Sequence, residues 1–193
     1  MQPDRDEVIE LGILPFAYER SSARILAVGD EYVGQRQPSR PIPAAATRVH
    51  GMTEEHVRGQ TLDHQRVRAL LQRAEFLVSH HAAFDRRFVL QLYPDLASRR
   101  WLCSLEGIDW RGHGFKSRSL QALLEAHAIR SDVRHRAQAD CRALLALLER
   151  PSANGNTYLY ELLNHYDMLG ASHPHVDQPL LRVGPEASDW AIS

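Results

Sequence analysis

Apolar and polar positions follow two different periods along this chain, and the switches between them mark its elements. Val8-Ile9-Glu10-Leu11-Gly12-Ile13-Leu14-Pro15-Phe16 is short, apolar and β-branched at its start, which predicts a strand. Ser21–Ala23 reads as a turn, and Arg24-Ile25-Leu26-Ala27-Val28 as the return strand of a hairpin. Residues 36–43, Arg-Gln-Pro-Ser-Arg-Pro-Ile-Pro, read as an extended loop punctuated by proline. Thr53-Glu54-Glu55 opens a short helix with Thr53 as its N-cap.

Helical spacing then takes over. Val67, Leu70, Leu71 and Ala74 place one apolar face on a helix over 62–74. Glu75-Phe76-Leu77-Val78-Ser79 reads as a buried strand, followed by a helix from about Ala83 to Leu92 that Pro94 ends. Trp101–Leu105 is a further strand candidate. Ser119–Ala128 and Gln138–Leu148 are helices, the second carrying Ala143, Leu144, Leu147 and Leu148 until Pro151 stops it. Residues 151–156 read as a flexible joint, and Thr157–Leu169 as one more helix. From Gly170 on, with Pro174, Pro179 and Pro185 and little periodicity, the chain is expected to be irregular. Strands alternating with helices after an initial hairpin place the chain in the α/β class. No internal repeat is present. The organisation expected is one domain over 1–150 and a C-terminal extension over 151–193, partly helical and then irregular.

Composition narrows this picture in three ways. At 193 residues and 44% hydrophobic content, the chain suits one domain with a real core. No apolar run approaches ~18 residues, so no membrane span or membrane partner is expected. The opening Met1-Gln2-Pro3-Asp4-Arg5-Asp6-Glu7 is polar and acidic, unlike a signal peptide. The two cysteines, Cys103 and Cys141, lack metal-type spacing, which points to a reducing compartment and a cytoplasmic protein. Net charge is −1, but residues 86–150 carry 12 Lys/Arg against 7 Asp/Glu. That basic middle third could face a phosphate backbone, or simply be an arginine-rich solvated face.

Three segments carry candidate chemistry. His80-His81-Ala82-Ala83-Phe84-Asp85 follows a predicted strand and sets Asp85 near a helix start, where α/β folds commonly put functional groups. His135-Arg136-Ala137-Gln138-Ala139-Asp140 sets a loop histidine five residues before an aspartate that opens a helix. His50-Gly51-Met52-Thr53 follows the proline loop. Each has a plainer reading. Asp85 and Asp140 could be first-turn aspartates favoured by the helix dipole. His135 could be a surface histidine, and His50-Gly51 a turn. His80 and His81 do not make a zinc pair, since no third ligand sits at regular spacing and adjacent strand residues face opposite ways.

Taken together, the segments resemble one family. Asp85 within His-x-x-x-Phe-Asp and Asp140 within His-x-x-x-x-Asp resemble the second and third motifs of the DEDD superfamily of 3′→5′ exonucleases, histidine subtype. That group includes the proofreading epsilon subunit of bacterial DNA polymerase III. His50-Gly51-Met52-Thr53 is similar to the family's His-Gly-Ile-Thr segment, and Asp6–Ile13 to its second strand. The likeness runs in order from about Pro3 to Arg150, so 1–150 would be an exonuclease-like domain. It implies a ribonuclease H-like fold, a mixed sheet flanked by helices. It implies two divalent ions, Mg²⁺ or Mn²⁺, that stabilise the attacking and leaving oxygens of a phosphodiester. Asp85 and Asp140 would be metal ligands and His135 the general base, a role that suits a side chain with an ordinary pKa of about 6.5. Phe84 would hold Asp85 by packing, and His50 and Met52 would line the terminal-nucleotide pocket. The implied partners are a single-stranded DNA or RNA 3′ end and a DNA polymerase.

The sequence departs from the family in one large respect. The family's first motif, an Asp-x-Glu on a first strand that is central in the sheet, supplies two of four carboxylates. It has no counterpart here, so that strand is expected to be absent from the chain. Asp4, Asp6 and Glu7 sit where the family has the loop after that strand. The natural protein is therefore expected to extend some ten to fifteen residues upstream of Met1, roughly one strand and its approach. The alternative is a truncated, catalytically inactive module that binds nucleic acid or a polymerase on the same fold. A chain complete at Met1 is expected to show negligible metal-dependent turnover. His81 also stands where the family often has asparagine, which bears on the hydrogen bonding beside Asp85.

Overall fold

A computed structural model describes residues 6–130, 136–171 and 188–192, with side chains described for 6–130 and 136–167. Strand β1 spans Glu10–Glu19, β2 Arg24–Val28 and β3 Tyr32–Gln35. Short helices α1 (Ala44–His50) and α2 (Glu54–Val57) follow, then α3 (His64–Arg73), β4 (Leu77–Ser79) and α4 (Ala82–Leu92). After a 3-10 turn at Pro94–Leu96 come β5 (Trp101–Cys103), α5 (Ser104–Gly107), α6 (Leu120–Ala126), α7 (Ala137–Leu148), α8 (Tyr158–Ala171) and β6 (Ser188–Ile192).

The strands form one mixed sheet in the order β2-β1-β6-β4-β5, with β3 pairing the first part of β1 on the same edge that β2 pairs further along. β1 alternates strictly. Leu11 and Ile13 join the core layer with α3 and α4, through Val67, Leu71 and Val89. Leu14, Phe16 and Tyr18 join the opposite layer with α6, α7 and α8, through Leu123, Leu144 and Leu162. β4 alternates the same way, with Leu77 in one cluster and Val78 in the other. The result is the expected α/β architecture, a mixed sheet covered by helices on both faces, in the manner of a ribonuclease H-like exonuclease fold. Each fully buried Leu, Ile or Phe here contributes about 1.5–3 kcal/mol of burial.

Several expectations hold at close range and others shift. β2 falls where the hairpin return was expected, and α3, α4 and α7 begin within a residue or two of their predicted starts. β3 and α1 were not foreseen: β3 is four residues long, and α1 buries no residue, so neither leaves an apolar period to read. The strand candidate 101–105 stops at Cys103, where Ser104 turns the chain into α5. The joint at 151–156 is not loose. Ser152 N–H donates to the Asn156 carbonyl at 2.7 Å, Gly155 N–H donates to Ser152 at 3.0 Å, and the Ser152 hydroxyl donates to Glu161. α8 then inserts Tyr158, Leu159, Leu162 and Leu163 into the same core as the preceding elements.

The largest correction concerns the centre of the sheet. The irregular stretch expected from Gly170 gives way to a strand at Ser188–Ile192. β6 pairs antiparallel with β1 from Ile13–Ile192 to Ala17–Ser188, and parallel with β4 at Leu77–Trp190 and Val78–Ala191. The central place that the missing first strand was expected to leave open is thus filled by the chain's own last strand. Backbone donors and acceptors on the inner edges of β1 and β4 find partners there, where leaving them bare inside the fold would be costly.

Candidate active site

β4 and β6 run parallel and β1 runs against β6, so the C-terminal ends of β4 and β6 and the start of β1 share one edge. A cavity of about 290 Å³ opens there. It brings together Asp85 from the first turn of α4, Asp140 from the first turn of α7, and Glu10 from β1. His50 and Met52 line it from the turn after α1, and Phe84 lines it beside Asp85. Four of the five residues singled out from the sequence therefore meet in one cavity. The fifth, His135, lies outside the described residues.

Local sequence explains each placement. Asp85 follows a strand of three buried residues, Leu77–Ser79, and the His81 cap, so it enters α4 at its positive end. Asp140 enters α7 in the same way. α7 reaches the cavity because β1 lets it: a Cβ on Gly12 would lie 2.8 Å from the carbonyl carbon of Ala137. Only glycine allows β1 to touch that first turn. Gly51 closes α1 with a positive φ of 72°, and the His50 Nδ1 accepts the Met52 N–H at 3.0 Å. The plain turn reading of His50-Gly51 is thus correct, and that turn is what delivers buried Met52 to the cavity wall. His81 stacks flat on Phe84 at 6.0 Å, and Phe84 packs against Phe88 at 4.8 Å.

The two histidines at 80 and 81 part company. His80 is a tether: its Nε2 donates to the Arg118 carbonyl at 2.8 Å and its Nδ1 accepts from the Ser104 hydroxyl at 2.9 Å. Burial lowers its pKa, with the Arg118 carbonyl bond opposing, so the neutral ring is the stable form. His81 stays exposed, near enough for its charge to act on Asp85.

Electrostatically the cavity is uneven. Asp85 is half-buried as a residue, but its carboxyl group is withdrawn from water, and burial pushes its pKa from 3.8 up to about 6. Ser79 and His81 oppose that shift and the Asp140 carboxylate adds to it. The Ser79 hydroxyl is fully buried and makes no hydrogen bond, acting on Asp85 from beyond bonding geometry. Glu10 has the opposite character. Burial again works against its charge, but Arg136 donates to it at 2.7, 3.0 and 3.1 Å, Ala137 N–H donates at 2.8 Å, and its pKa falls. Glu7, also on the wall, is held below its ordinary pKa chiefly by the Ser39 hydroxyl and by Arg36.

Two neighbouring, mutually repelling carboxylates, one of them withdrawn from water, suit a hard divalent cation, whose charge would favour both ionised forms. Among the described residues, however, no three His, Cys, Asp or Glu side chains converge closely enough to form a metal cage. Two adjacent carboxylates are a donor set compatible with such an ion and fall short of a complete cage. Sequence reading missed Glu10 and Arg136. The signal was available for Glu10, the one charge inside the apolar run Val8–Phe16.

No helix among the described residues is long and apolar enough to cross a membrane. No curated protein matches the sequence. Among solved structures, Exonuclease X in complex with 5′ overhanging duplex DNA matches with a TM-score of 0.50 and 19% identity, over 82% of this chain and 83% of that one. At that identity the likeness is one of fold. The family model described as Exonuclease matches residues 1–148, three quarters of the sequence and every residue of the cavity, and the chain belongs to that family.

Proposed function

We propose that this protein hydrolyses phosphodiester bonds from the 3′ end of a nucleic acid, with divalent metal ions held in part by Asp85 and Asp140. The observation that carries the reading is their convergence, from separate helices, in a cavity also walled by His50, Met52 and Phe84. The Mg²⁺ or Mn²⁺ ions would supply charge stabilisation to the attacking and leaving oxygens. Asp85 and Asp140 hold negative charge at the cavity floor. Burial of Asp85 keeps it partly protonated below about pH 6, so protons compete with a cation there. Met52 and Phe84 offer apolar wall to a terminal base or sugar, and His50 flanks them. His135 is assigned the removal of a proton from the attacking water. Its sequence position five residues before Asp140 supports that role.

A second reading has its own support. Because Glu10 is already bound to Arg136 and no three candidate ligands among the described residues converge on one point, a binding module without turnover, holding nucleic acid or a polymerase, fits the same fold.

One experiment separates the readings. The 193-residue chain is incubated with Mn²⁺ and a single-stranded oligonucleotide labelled at its 5′ end. The nuclease reading expects a ladder shortening from the 3′ end, abolished in Asp140→Ala and reduced at least about 10³-fold in Asp85→Asn. His135→Ala is expected to lose most turnover and keep Mn²⁺ binding. An oligonucleotide of unchanged length, or turnover indifferent to both aspartates, removes the nuclease reading for this 193-residue chain; binding without turnover leaves the module.

A further inference from the structure

A second concavity adjoins the first. It measures about 510 Å³ and lies between α7, β3 and the segment after α6. Glu10 lines both spaces, and the two share helix α7: Ala137 and Asp140 face the first, and Gln138, Arg142 and Ala146 face the second. Its polar lining is dominated by donors, Arg130, Arg136, Arg142 and Gln138, with Glu10 as its one carboxylate.

These charges are unequally committed. Arg136 spends its Nε and one Nη on Glu10, which leaves its other Nη unbonded among the described residues. Arg142 gives one Nη to Glu31 at 2.6 Å, and Gln138 donates to the same oxygen at 2.8 Å. Arg130 is exposed and has no ion-pair partner among the described residues. Between the guanidinium groups lie apolar surfaces, Val33 (39% exposed) and half-buried Ile129. Forked donors around an apolar floor match a ligand that alternates anionic oxygens with flat apolar groups.

We propose that this cleft binds the phosphodiester backbone of the nucleic-acid strand whose 3′-terminal nucleotide occupies the two-aspartate cavity. The inference rests on the nuclease reading above, and it adds where the strand runs: from the cavity, past the Glu10–Arg136 pair, along α7 toward Arg142. From Arg136 to Arg142 the helix advances about 9 Å, room for more than one backbone phosphate. Arg130 is the group with most to give, because among the described residues it is held by no ion pair and it stands exposed on the rim.

The test is fluorescence anisotropy in EDTA, where no hydrolysis intrudes. The probes are a labelled oligothymidine of about twelve nucleotides and, by competition, thymidine 5′-monophosphate. The variants are Arg130→Ala and Arg130→Glu in the full chain, with circular dichroism confirming the fold. Arg130→Ala is expected to weaken oligothymidine about three- to tenfold and to flatten the slope of log affinity against log salt by about 0.7, one single-strand phosphate contact. Arg130→Glu is expected to do more of both. The ratio of oligonucleotide to mononucleotide affinity should fall in each. Unchanged affinity and slope in both variants would overturn the cleft. An equal loss for the mononucleotide would overturn it too, by placing Arg130's effect in the terminal cavity. A wild-type chain that binds no oligonucleotide in EDTA would also overturn the cleft, whereas the nuclease reading stands or falls separately, on turnover with Mn²⁺.

Discussion

Two carboxylates on the wall of one cavity have been driven in opposite directions. Glu10 and Asp85 are both withdrawn from water, and burial works against the charge of each. Glu10 meets Arg136 and the first N–H of α7, and its pKa falls. For Asp85 burial outweighs the opposing influence of Ser79 and His81, the Asp140 carboxylate adds to it, and its pKa rises to about 6. The fold satisfies one acid with direct charge-assisted bonds and leaves the other disfavoured as an anion. A structural acid is known by the partners the fold supplies, and a functional one by the partner the fold withholds.

Mutations at the two ends should therefore differ in sign. Glu10→Ala removes four hydrogen bonds from Arg136 and Ala137 and uncaps α7. Arg136 is 37% exposed and can partly rehydrate, so the expected loss is about 3 kcal/mol rather than the full cost of an orphaned buried charge. Urea unfolding at neutral pH measures it, and a loss under about 0.5 kcal/mol would mean the pair is ornamental. Asp85→Asn should stabilise the apo-protein at neutral pH by about 2 kcal/mol, since it removes a charge the fold disfavours. The sign follows from linkage. A carboxyl with a folded pKa near 6 and an ordinary value of 3.8 binds more protons folded than unfolded between those values. Stability therefore falls as pH rises from about 4 to 6, and the cost is complete above that window. Unfolding of the wild type across this range should show the decline, and Asp85→Asn should lack it. A flat wild-type profile would mean that Asp85 is better solvated than its position implies.

The same contrast explains what could be read from the sequence. Asp85, Asp140, His50 and Met52 were legible because each sits in a motif whose local structure is set by its neighbours: a strand end, a helix start or a glycine-capped turn. Glu10 and Arg136 were not, because their pairing spans 126 positions and only the contact of β1 with α7 brings them together. β6 was illegible for a related reason. Ser188-Asp189-Trp190-Ala191-Ile192 is short, follows three prolines and carries no strict alternation. What makes it a strand is the pair of unsatisfied edges on β1 and β4. α8 fell between these cases, since its helical period was clear and its place in the main core was not.

Cation binding should sharpen the comparison further. Mn²⁺ at about ten times its dissociation constant should raise the stability of the apo-protein by about 1.4 kcal/mol. The gain should survive Arg136→Lys and vanish in Asp85→Asn. A thermal shift that persists in Asp85→Asn would place the ion elsewhere, and Asp85 would then be a buried acid without a partner to explain it.

The smallest change asks whether the Glu10 end depends on charge or on shape. Arg136→Lys keeps the cation but loses the fork that grips both oxygens of Glu10 at 2.7 and 3.1 Å. Glu10 still keeps the Ala137 N–H. The expected cost is about 1 kcal/mol, a third of that for Glu10→Ala, because one charge-assisted bond replaces several. Glu10 should still ionise below its ordinary range, so the acid limb of the stability profile, below about pH 4.5, should keep its steepness. If Arg136→Lys instead costs as much as Glu10→Ala, fork geometry rather than charge anchors β1 to α7. The rigid wall between the two cavities would then belong to the guanidinium alone.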